Sequence, residues 1–283
     1  EHLNHERSVA AQAQAVEKGR AVKKKLAEIE ESFTAVSQEL NTLLWKIPNI
    51  PSTDTPIGKD DSENIVLRTV GKTPTFSFPV RDHLELGKLN DFIDTEKASE
   101  VAGTRFAYVK GDLVRLQYAL ITYAMNKLSD KIFLENIIVE QKLNLPPTPF
   151  IPVMPPLMIR PEVFARMARL EPKEERYHIP SDDVYLIGSA EHTLGAIHID
   201  ESLRENDLPI RYMAYTTAFR REAGSYGKDT KGLIRMHQFE KLEMESFTLP
   251  EQSLDEQNFL VAIKEKFMQE LGIPYQVILT CTG

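Results

Sequence analysis

The sequence has little cysteine, little glycine and no long hydrophobic segment. Its single cysteine among 283 residues excludes an internal disulfide and a cysteine-rich zinc site. With 13 glycines and 17 prolines the chain is neither collagen-like nor of low complexity. No apolar run approaches the roughly 20 residues that a transmembrane helix needs, and the N-terminus has no secretory signal. We therefore expect a cytoplasmic protein without a membrane segment.

The composition is that of a soluble globular protein with enough sequence for a large core. Hydrophobic residues make up 42% of the chain and charged residues 27%. The net charge of −8 argues against a protein that is basic throughout and coats nucleic acid, although it permits a local basic patch. A chain of this length accommodates one large domain or two ordinary ones.

The first 46 residues are predicted to form a coiled-coil arm. A weak helical pattern precedes Gly19, and a strong one follows it and ends at Pro48, which cannot continue a helix. Two antiparallel helices would then turn near Gly19. The second helix carries apolar residues at alternating spacings of four and three, the a/d pattern of a coiled coil. These residues are Val22, Leu26, Ile29, Phe33, Val36, Leu40, Leu43 and Ile47.

Basic residues cluster at the predicted turn of this arm. Only one acid, Glu17, lies among them. Such a cluster is usually a solvated helix end. It also suits a tip that contacts phosphates without recognising bases, and the residues alone leave both interpretations open. The cluster consists of Lys18, Arg20, Lys23, Lys24 and Lys25.

A proline-rich linker separates the arm from a compact domain. The linker, residues 47–80, contains five prolines and one short expected strand at 65–70. The remaining residues, 81–283, have the patterns of a folded domain. Amphipathic helices are expected there at 111–128 and 130–143.

Two strand-like segments flank a glycine-rich loop and predict an antiparallel hairpin. The strands are expected at 212–222 and 235–249, and the polar loop at 223–232. A short buried strand at 184–191 precedes them and ends in two polar side chains.

Strand alternation sorts the side chains of this hairpin. Arg220 and Glu222 share a face on the first strand. We expect the hairpin to be polar on both faces, because Arg221, Gln238 and Glu240 lie opposite. A sheet beneath a charged ligand explains this pattern better than packing does, since arginines bind phosphates and carboxylates and a phenylalanine ring stacks on a base. On the returning strand the shared face carries Arg235, His237, Phe239, Lys241 and Glu243.

This pattern suits a nucleoside triphosphate beside a small amino acid. The phosphate-loop signature GxxxxGK[ST] is absent, and so is a GxGxxG that follows a strand. Side chains on a sheet would therefore hold the nucleotide.

Phe219–Gly224 and Gly232–Glu243, which flank the loop, closely resemble motif 2 of the class II aminoacyl-tRNA synthetases in its seryl form. Ser189-Ala190-Glu191 resembles the Thr-Ala-Glu serine-recognition motif of the family, with serine in place of threonine. The basic-tipped arm resembles the family's tRNA-binding arm, and the resemblance covers essentially the whole chain. The other similar segments are Ile47–Pro51, Gly58–Asp60 and Gly103–Phe106.

The resemblance implies a fold and an activity. The fold would be α+β, with an N-terminal antiparallel helical coiled-coil arm and a class II antiparallel β-sheet domain flanked by helices. The activity would be that of a serine–tRNA ligase, a cytoplasmic enzyme of protein biosynthesis. Serine and ATP would form seryl-adenylate and pyrophosphate, and the seryl group would then pass to serine tRNA.

The resemblance also implies roles for individual residues. Arg220 would be catalytic and contact both the α-phosphate and the serine carboxylate. Arg235 would reach the γ-phosphate, and Phe239 would stack on adenine. The implied ATP-binding residues are Arg220, Arg221, Glu222, Arg235, Met236, His237, Gln238 and Phe239. The implied serine-binding residues are Ser189, Ala190, Glu191, Arg220 and Glu243, and the basic cluster of Lys18, Arg20, Lys23, Lys24 and Lys25 would contact tRNA.

The chain departs from the family at its C-terminus. It stops at Gly283, before the family's magnesium ligands and the motif 3 arginine. We therefore expect a fragment that also lacks the start of the arm and is inactive by itself. Magnesium ligands are expected beyond its C-terminus. Pro156 resembles the motif 1 proline, near which the family dimerises, and this implies a homodimer.

Two other classes of protein remain open at this stage. One is a ligase of related fold that loads an amino acid onto a carrier protein, but such relatives lack the long arm and use a zinc site. The other is a non-catalytic coiled-coil interaction protein with a synthetase-like domain. A domain that had lost its activity would be expected to lose its motif residues. The motif residues are intact, and they are Arg220, Glu222, Arg235, Phe239 and Glu243.

Overall fold

The chain forms two compact units. The computed structural model describes residues 2–222 and 233–283, with side chains from residue 14 onward. The first unit consists of Glu1–Ile65 together with Leu279–Gly283, and the second of Val66–Ile278. The predicted loop at 223–232 lies outside the described residues.

The N-terminal segment is one continuous helix, α1 (His2–Leu44), so the predicted helical hairpin is wrong. The helix passes through Gly19 without a turn. A glycine inside a helix costs only about 1 kcal/mol relative to alanine, and the alanine, lysine and glutamate residues around it are strong helix formers. The predicted end of the helix is confirmed, because α1 stops four residues before Pro48.

The coiled-coil positions of α1 are exposed to solvent. Every predicted position from Val22 to Ile47 is more than half exposed, with Phe33 at 72%. Two neighbouring residues of the helix end, Leu44 and Trp45, are exposed to a similar degree. The seam therefore has the predicted spacing, but its side chains lie in water.

The C-terminal tail packs within the first unit. The backbone N–H of Cys281 donates a hydrogen bond to the side chain of Asn64 at 2.9 Å. The N–H of Thr282 donates to the carbonyl of Pro56, and the N–H of Gly58 donates to the Thr282 hydroxyl. These hydrogen bonds fix the segment that follows α1 against the end of the chain.

The second unit combines helices with antiparallel sheets, as expected. The predicted strand at 65–70 and the predicted helices near 111–128 and 130–143 are confirmed. Its helices are α2 (His83–Leu89), α3 (Thr95–Ala102), α4 (Asp112–Ser129), α5 (Lys131–Gln141), α6 (Pro161–Arg166), α7 (Glu191–Leu194) and α8 (Ser253–Glu270). Its strands, of which the first and last reach the boundary of the unit, are β1 (Ile65–Val70), β2 (Ile93–Asp94), β3 (Tyr108–Val109), β4 (Ile151–Pro152), β5 (Met158–Ile159), β6 (His178–Ile179), β7 (Val184–Leu186), β8 (Ile210–Phe219), β9 (Gln238–Phe247) and β10 (Tyr275–Leu279).

Aspartates begin three of these helices. Asp82, Asp94 and Asp130 each accept hydrogen bonds from backbone N–H groups of the first turn of α2, α3 and α5. The first turn of a helix leaves its N–H groups without intrahelical partners, so a capping carboxylate stabilises that end by about 1 kcal/mol.

The central sheet has the order β4-β8-β9. β8 pairs with β9 in an antiparallel register from Ile210 opposite Phe247 to Phe219 opposite Gln238, and β4 runs parallel to β8. A second sheet has the order β5-β7-β6, while β1 pairs with β10 and β2 with β3. The two long strands of the predicted hairpin are thus confirmed, although both are shorter than predicted.

One face of the central sheet covers the main core. Met213 of β8 is fully buried there, and Leu242 and Met244 of β9 pack against the same cluster. The expectation that the hairpin is polar on both faces is therefore wrong along most of β9. The other members of the core come mainly from α5 and α8, among them Phe133, Leu134, Ile137, Ile138, Phe259 and Ile263.

A buried ion pair ties the same face of the sheet to α8. Arg211 is fully buried, and its Nε and Nη2 donate to the two carboxylate oxygens of Glu256 at 2.6 and 2.7 Å. Its remaining nitrogen donates to the carbonyls of Pro146 and Thr148. Ser246 adds a hydrogen bond to Glu256. Both charges are therefore fully satisfied inside the core.

Candidate active site

The second face of the central sheet carries a row of polar side chains. Alternation along β9 places Phe239, Lys241, Glu243 and Glu245 on this face, opposite the core. Along the same face of β8 lie smaller residues, since the direct partners of the first three are Ala218, Thr216 and Ala214. Small side chains on one strand leave space above the sheet beside the charged groups of the other.

A three-residue network joins this face to the segment after β7. The hydroxyl of the buried Ser189 donates to Glu243 Oε2 at 2.6 Å and accepts from Lys241 Nζ at 3.2 Å. The same ammonium forms an ion pair with Glu243 at 2.7 Å. The sequence separation of Ser189 and Glu243 is 54 residues, so the fold and not the local chain brings them together.

Helix α7 begins beside this network and carries a second acid. Glu191 forms an ion pair with Arg169 at 2.7 Å, and its backbone N–H approaches the Ser189 hydroxyl at 3.4 Å. Ala190 is fully buried against Leu194 and Ala214, beneath the network.

His192 is held neutral behind the network. Burial, reinforced by the charge of Arg176 and of further nearby cations, lowers its pKa to about 4. Its Nδ1 accepts a hydrogen bond from the backbone N–H of Gly188 at 3.1 Å. The imidazole therefore supports the loop before α7 without adding a positive charge.

Arg220 and Phe239 meet at one end of this face. The guanidinium of Arg220 lies 5.2 Å from the centre of the Phe239 ring, within the range of a cation–π contact. Its Nε donates to the carbonyl of Gly188 at 3.2 Å, next to Ser189. Both side chains are half-buried, so a ligand that lies on this end of the sheet can reach them.

The residues after Arg220 leave the strand. Glu222 has a φ of +52°, which ends the extended backbone, and Arg221 donates its N–H to the carbonyl of Glu175. The predicted strand to residue 222 is therefore too long, and Arg220 and Glu222 do not share a strand face.

Glu222 nevertheless joins the predicted arginines. Its carboxylate pairs with Arg235 at 3.2 Å, and its carbonyl accepts from Arg105 at 3.0 Å. This ion pair brings both ends of the predicted hairpin loop together. Arg221 itself is exposed.

Residues 235–237 also lie outside the strand that was predicted to contain them. The carbonyl of His237 accepts from the N–H of Arg220, and its own N–H donates to the carbonyl of Arg105. Its ring packs against Phe106 and Tyr177. His237 is therefore a structural contact between segments just before β9. The strand begins only at Gln238.

A cavity of about 340 Å³ lies beside Phe239. The residues that line it include three predicted nucleotide-binding residues, Met236, Gln238 and Phe239. Phe106 and Tyr118 close its other side. Met236 is therefore buried from solvent but lines this cavity.

Four residues of the site were not predicted from the sequence. Arg169 and Arg176 come from irregular segments, where no periodic pattern marks an inward side chain. Lys241 was placed on the correct face, but no role was assigned to it. Glu245 continues the alternation of Glu243 by one step, and this was the signal that could have identified it.

Arg176 lies close to the catalytic candidate. Burial and the nearby charge of Arg220 lower its pKa, and its guanidinium packs over the ring of Phe164. Its Nε donates to the carbonyl of Arg169. Arg169, Arg176 and Arg220 thus form a positive region around the loop before α7, which suits an anionic ligand.

Glu245 lies near the two other acids of this face. Burial, with the charges of Glu191 and Glu243 adding to it, raises its pKa to about 7. It is half-buried opposite Tyr212 of β8.

The predicted basic tip is a band in the first half of α1. All five of its residues are exposed, and Lys24 lies 4.0 Å from Glu28. Because a helix rises 1.5 Å per residue, the band from Lys18 to Lys25 covers about 10 Å of the helix axis. It lies on a straight helix and not at a turn, since α1 is continuous.

The described residues contain neither a metal cluster nor a membrane span. No group of three or more histidine, cysteine or acidic residues in the described ranges is arranged to hold a metal ion. None of the described helices is both long and apolar enough to cross a membrane.

The chain is similar to known synthetases in sequence. Residues 175–283 match the family described as tRNA synthetase class II core domain (G, H, P, S and T). A serine–tRNA ligase from Citrifermentans bemidjiense is 40% identical over 266 residues, which are 93% of this chain and 59% of that protein. The chain therefore spans about three fifths of the length of the relatives that it matches.

Solved structures agree with this similarity. A seryl-tRNA synthetase from Pyrococcus horikoshii, complexed with ATP, has a TM-score of 0.80 and 31% identity and covers 95% of this chain and 61% of its own. A cytoplasmic serine–tRNA ligase from Naegleria fowleri, in complex with AMP, has a TM-score of 0.74 and 29% identity, with 88% of this chain and 56% of its own covered. The resemblance found in the motifs is thus confirmed along nearly the whole chain.

Proposed function

This chain belongs to the class II tRNA synthetases, with serine–tRNA ligases among its relatives, and we propose that it carries the serine-activating site of such a ligase. The proposed reaction has two steps. A carboxylate oxygen of serine attacks the α-phosphorus of ATP and pyrophosphate leaves, which forms seryl-adenylate. A ribose hydroxyl at the 3′ end of serine tRNA then attacks the seryl carbonyl and AMP leaves.

The observation that carries this proposal is the network of Ser189, Lys241 and Glu243 beside Arg220. An amino acid needs an anionic partner for its ammonium and a cationic partner for its carboxylate. Glu243 and Arg220 supply these on one face of one sheet, joined through Gly188 and Ser189. The fixed hydrogen-bonding groups of this network suit serine, whose hydroxyl needs both a donor and an acceptor.

The nucleotide would lie at the Arg220 end of the same face. Phe239 offers a ring on which adenine can stack, and Met236 and Gln238 lie close to it in the chain. Arg220 would neutralise charge at the α-phosphate, while Arg235 with Glu222 would face the outer phosphates. Rate would come from alignment and from charge neutralisation, since no covalent enzyme intermediate is needed.

Magnesium is expected with ATP but finds no site in the described residues. No acidic cluster there is arranged for a metal ion, so the residues present do not fit it. We therefore assign no ligand and no step to magnesium in this chain.

We also propose a role for each segment of the chain. Residues 1–46 would be the tRNA-binding arm, residues 47–80 a linker, and residues 81–283 part of the catalytic domain. The complete ligase, meaning the product of the whole reading frame, would work in the cytoplasm as a homodimer.

Serine-dependent exchange of pyrophosphate into ATP tests the proposed function. The complete ligase should catalyse this exchange with serine and at least about a hundredfold less well with alanine, because loss of the hydroxyl leaves the polar groups of the pocket unpaired. Equal exchange with both amino acids, or none with serine, would contradict the proposal.

Shortening Phe239 should weaken nucleotide binding without disabling the chemistry. We expect Phe239→Leu to raise the KM for ATP about tenfold and to change kcat little, because stacking acts equally in the ground and transition states and contributes about 1–3 kcal/mol. Phe247→Leu, on the same face at the far end of β9, is the matched control and should leave this KM unchanged. A large loss of kcat in Phe239→Leu would instead give the ring a catalytic part.

Neutralising the basic band of α1 should weaken tRNA binding alone. For each phosphate that the band no longer neutralises, the slope of log affinity against log salt should fall by about 0.7–0.9. Serine activation without tRNA should not change, because the band lies outside the site face. The variant carries alanine at Lys18, Arg20, Lys23, Lys24 and Lys25.

A variant with the same change in net charge is the control for this test. It should bind tRNA with an unaltered salt slope, since its substitutions lie away from α1. An intact slope in the α1 variant would show that the band is only a solvated helix face. The control carries alanine at the exposed residues Lys97, Arg115, Lys131, Lys142 and Lys173.

A further inference from the structure

Glu245 is the one acid of the site face that lacks a cationic partner among the described residues. Glu191 is paired with Arg169 and Glu243 with Lys241. No side-chain donor in the described part of the chain makes a hydrogen bond or an ion pair with the Glu245 carboxylate. Three carboxylates thus lie close to two cations, and each cation is already paired with one of the other two acids.

The surroundings of Glu245 close it in from each element that packs on it. The chain just after α7 passes directly over it, because a Cβ placed on Gly195 would lie 3.6 Å from its Oε1. Tyr212 does not donate a hydrogen bond to Glu245, because its hydroxyl is paired with His198 Nε2 at 3.0 Å. The charged and titratable groups around the carboxylate are Glu243 from β9, Tyr212 from β8, Glu191 from α7 and Arg169 from the segment after α6.

We propose that Glu245 is a further substrate-positioning residue, whose carboxylate joins that of Glu243 in supplying the counter-charge for the ammonium group of the bound amino acid. The inference rests on the proposed function of this site. A ligand ammonium brings the positive charge that the three acids lack. Glu245 is only half-buried, so its carboxylate remains accessible to a ligand. Lys241 cannot serve, because it is held by Ser189 and Glu243.

The pairing makes amino-acid affinity depend on pH. With a pKa of about 7 in the empty site, Glu245 is mostly protonated at pH 6 and mostly ionised at pH 8. A bound ammonium favours the ionised form and lowers this pKa. Affinity for the amino acid must therefore rise as the pH rises through this window, and the gain is complete above the pKa of the empty site. For a drop of about one unit, the gain between pH 6 and pH 8 is about fivefold.

The test measures the KM for L-serine in ATP–pyrophosphate exchange by the complete ligase from pH 6 to pH 8. We expect the KM to fall about fivefold in the wild type, to stay flat in Glu245→Gln, and to keep its fall in Glu245→Asp, which restores the acid. The KM for ATP should not follow this pattern in any variant. Glu240→Gln, which removes an acid from the other face of β9, should keep the wild-type pH dependence.

An inhibitor makes the test independent of any variant. The compound 3-hydroxypropionate is serine without its ammonium, so its inhibition constant should not improve between pH 6 and pH 8. Retention of the serine pH dependence in Glu245→Gln, or the same dependence for 3-hydroxypropionate, would overturn the inference. Exchange that fails with serine in the wild type would overturn the proposed function instead, so the two failures are distinguishable.

Discussion

Replacing Arg220 with alanine should lower serine-dependent ATP–pyrophosphate exchange by at least about 10²–10³-fold. Removing a single preorganised electrostatic interaction with a transition state typically has an effect of this size. Arg220 is preorganised, because its Nε donates a hydrogen bond to the carbonyl of Gly188 at 3.2 Å and its guanidinium packs over the Phe239 ring. The loss should appear in kcat, since charge develops on the phosphate only during the reaction.

Two further variants sharpen this experiment. Arg220→Lys keeps the charge but loses the planar, two-pronged donor, so it should recover only a small part of the rate. Arg204→Ala removes an exposed arginine that pairs with Asp207, and it should leave exchange within about twofold of the wild type. A loss below tenfold in Arg220→Ala would show that the α-phosphate is neutralised by another group.

Breaking the buried ion pair should produce the largest loss of stability in the second unit. We expect Glu256→Ala to lower the free energy of unfolding by about 3–5 kcal/mol, because it leaves the charge of Arg211 buried without its partner. Arg211 is fully buried and Glu256 only 3% exposed, so water cannot take the place of the missing carboxylate. Urea unfolding of this chain, followed by circular dichroism, measures the effect.

A double variant tests whether the loss comes from leaving one charge unpaired or from losing the ion pair itself. Arg211→Met with Glu256→Met removes both charges and keeps most of the volume, so it should recover much of the lost stability. Asp207→Ala, which breaks an exposed pair, should cost less than about 1 kcal/mol. A Glu256→Ala variant as stable as the Asp207→Ala variant would contradict this view of the core.

Local pattern was enough to predict β1 and, with bounds that were too long, β8 and β9, together with much of the site face. Alternation placed Phe239, Lys241 and Glu243 on one face, and β9 confirms this. The prediction works because successive side chains of a strand point to opposite faces of the sheet. The strand β1 was predicted to the residue, since a polar 3₁₀ turn and Gly71 bound an apolar run. Ser189 was recognised through its motif, and the fold brings it to Glu243.

The errors had two causes, the helix propensity of neighbouring residues and interactions between residues far apart in the chain. Gly19 favours a turn locally, but the helix formers on both sides continue α1 through it. His237 continues an apparent alternation, yet its backbone bonds to Arg105 and Arg220, which lie far away in sequence. Arg211 carried no prediction, because only its partner Glu256, 45 residues later, explains why a cation is buried there.

The site face of β9 acts as a molecular ruler with steps of two residues. An antiparallel strand rises about 3.4 Å per residue, so the ring of Phe239 and the carboxylate of Glu243 are about 14 Å apart along the strand, and Glu245 lies one step farther. An insertion of one residue between Phe239 and Glu243 would turn the acids into the core, whereas an insertion of two would keep the face and lengthen the gap by about 7 Å. In the proposed site, the distance between the base and the ammonium could therefore change only in steps of about 7 Å, so the strand would select an adenylate of one length.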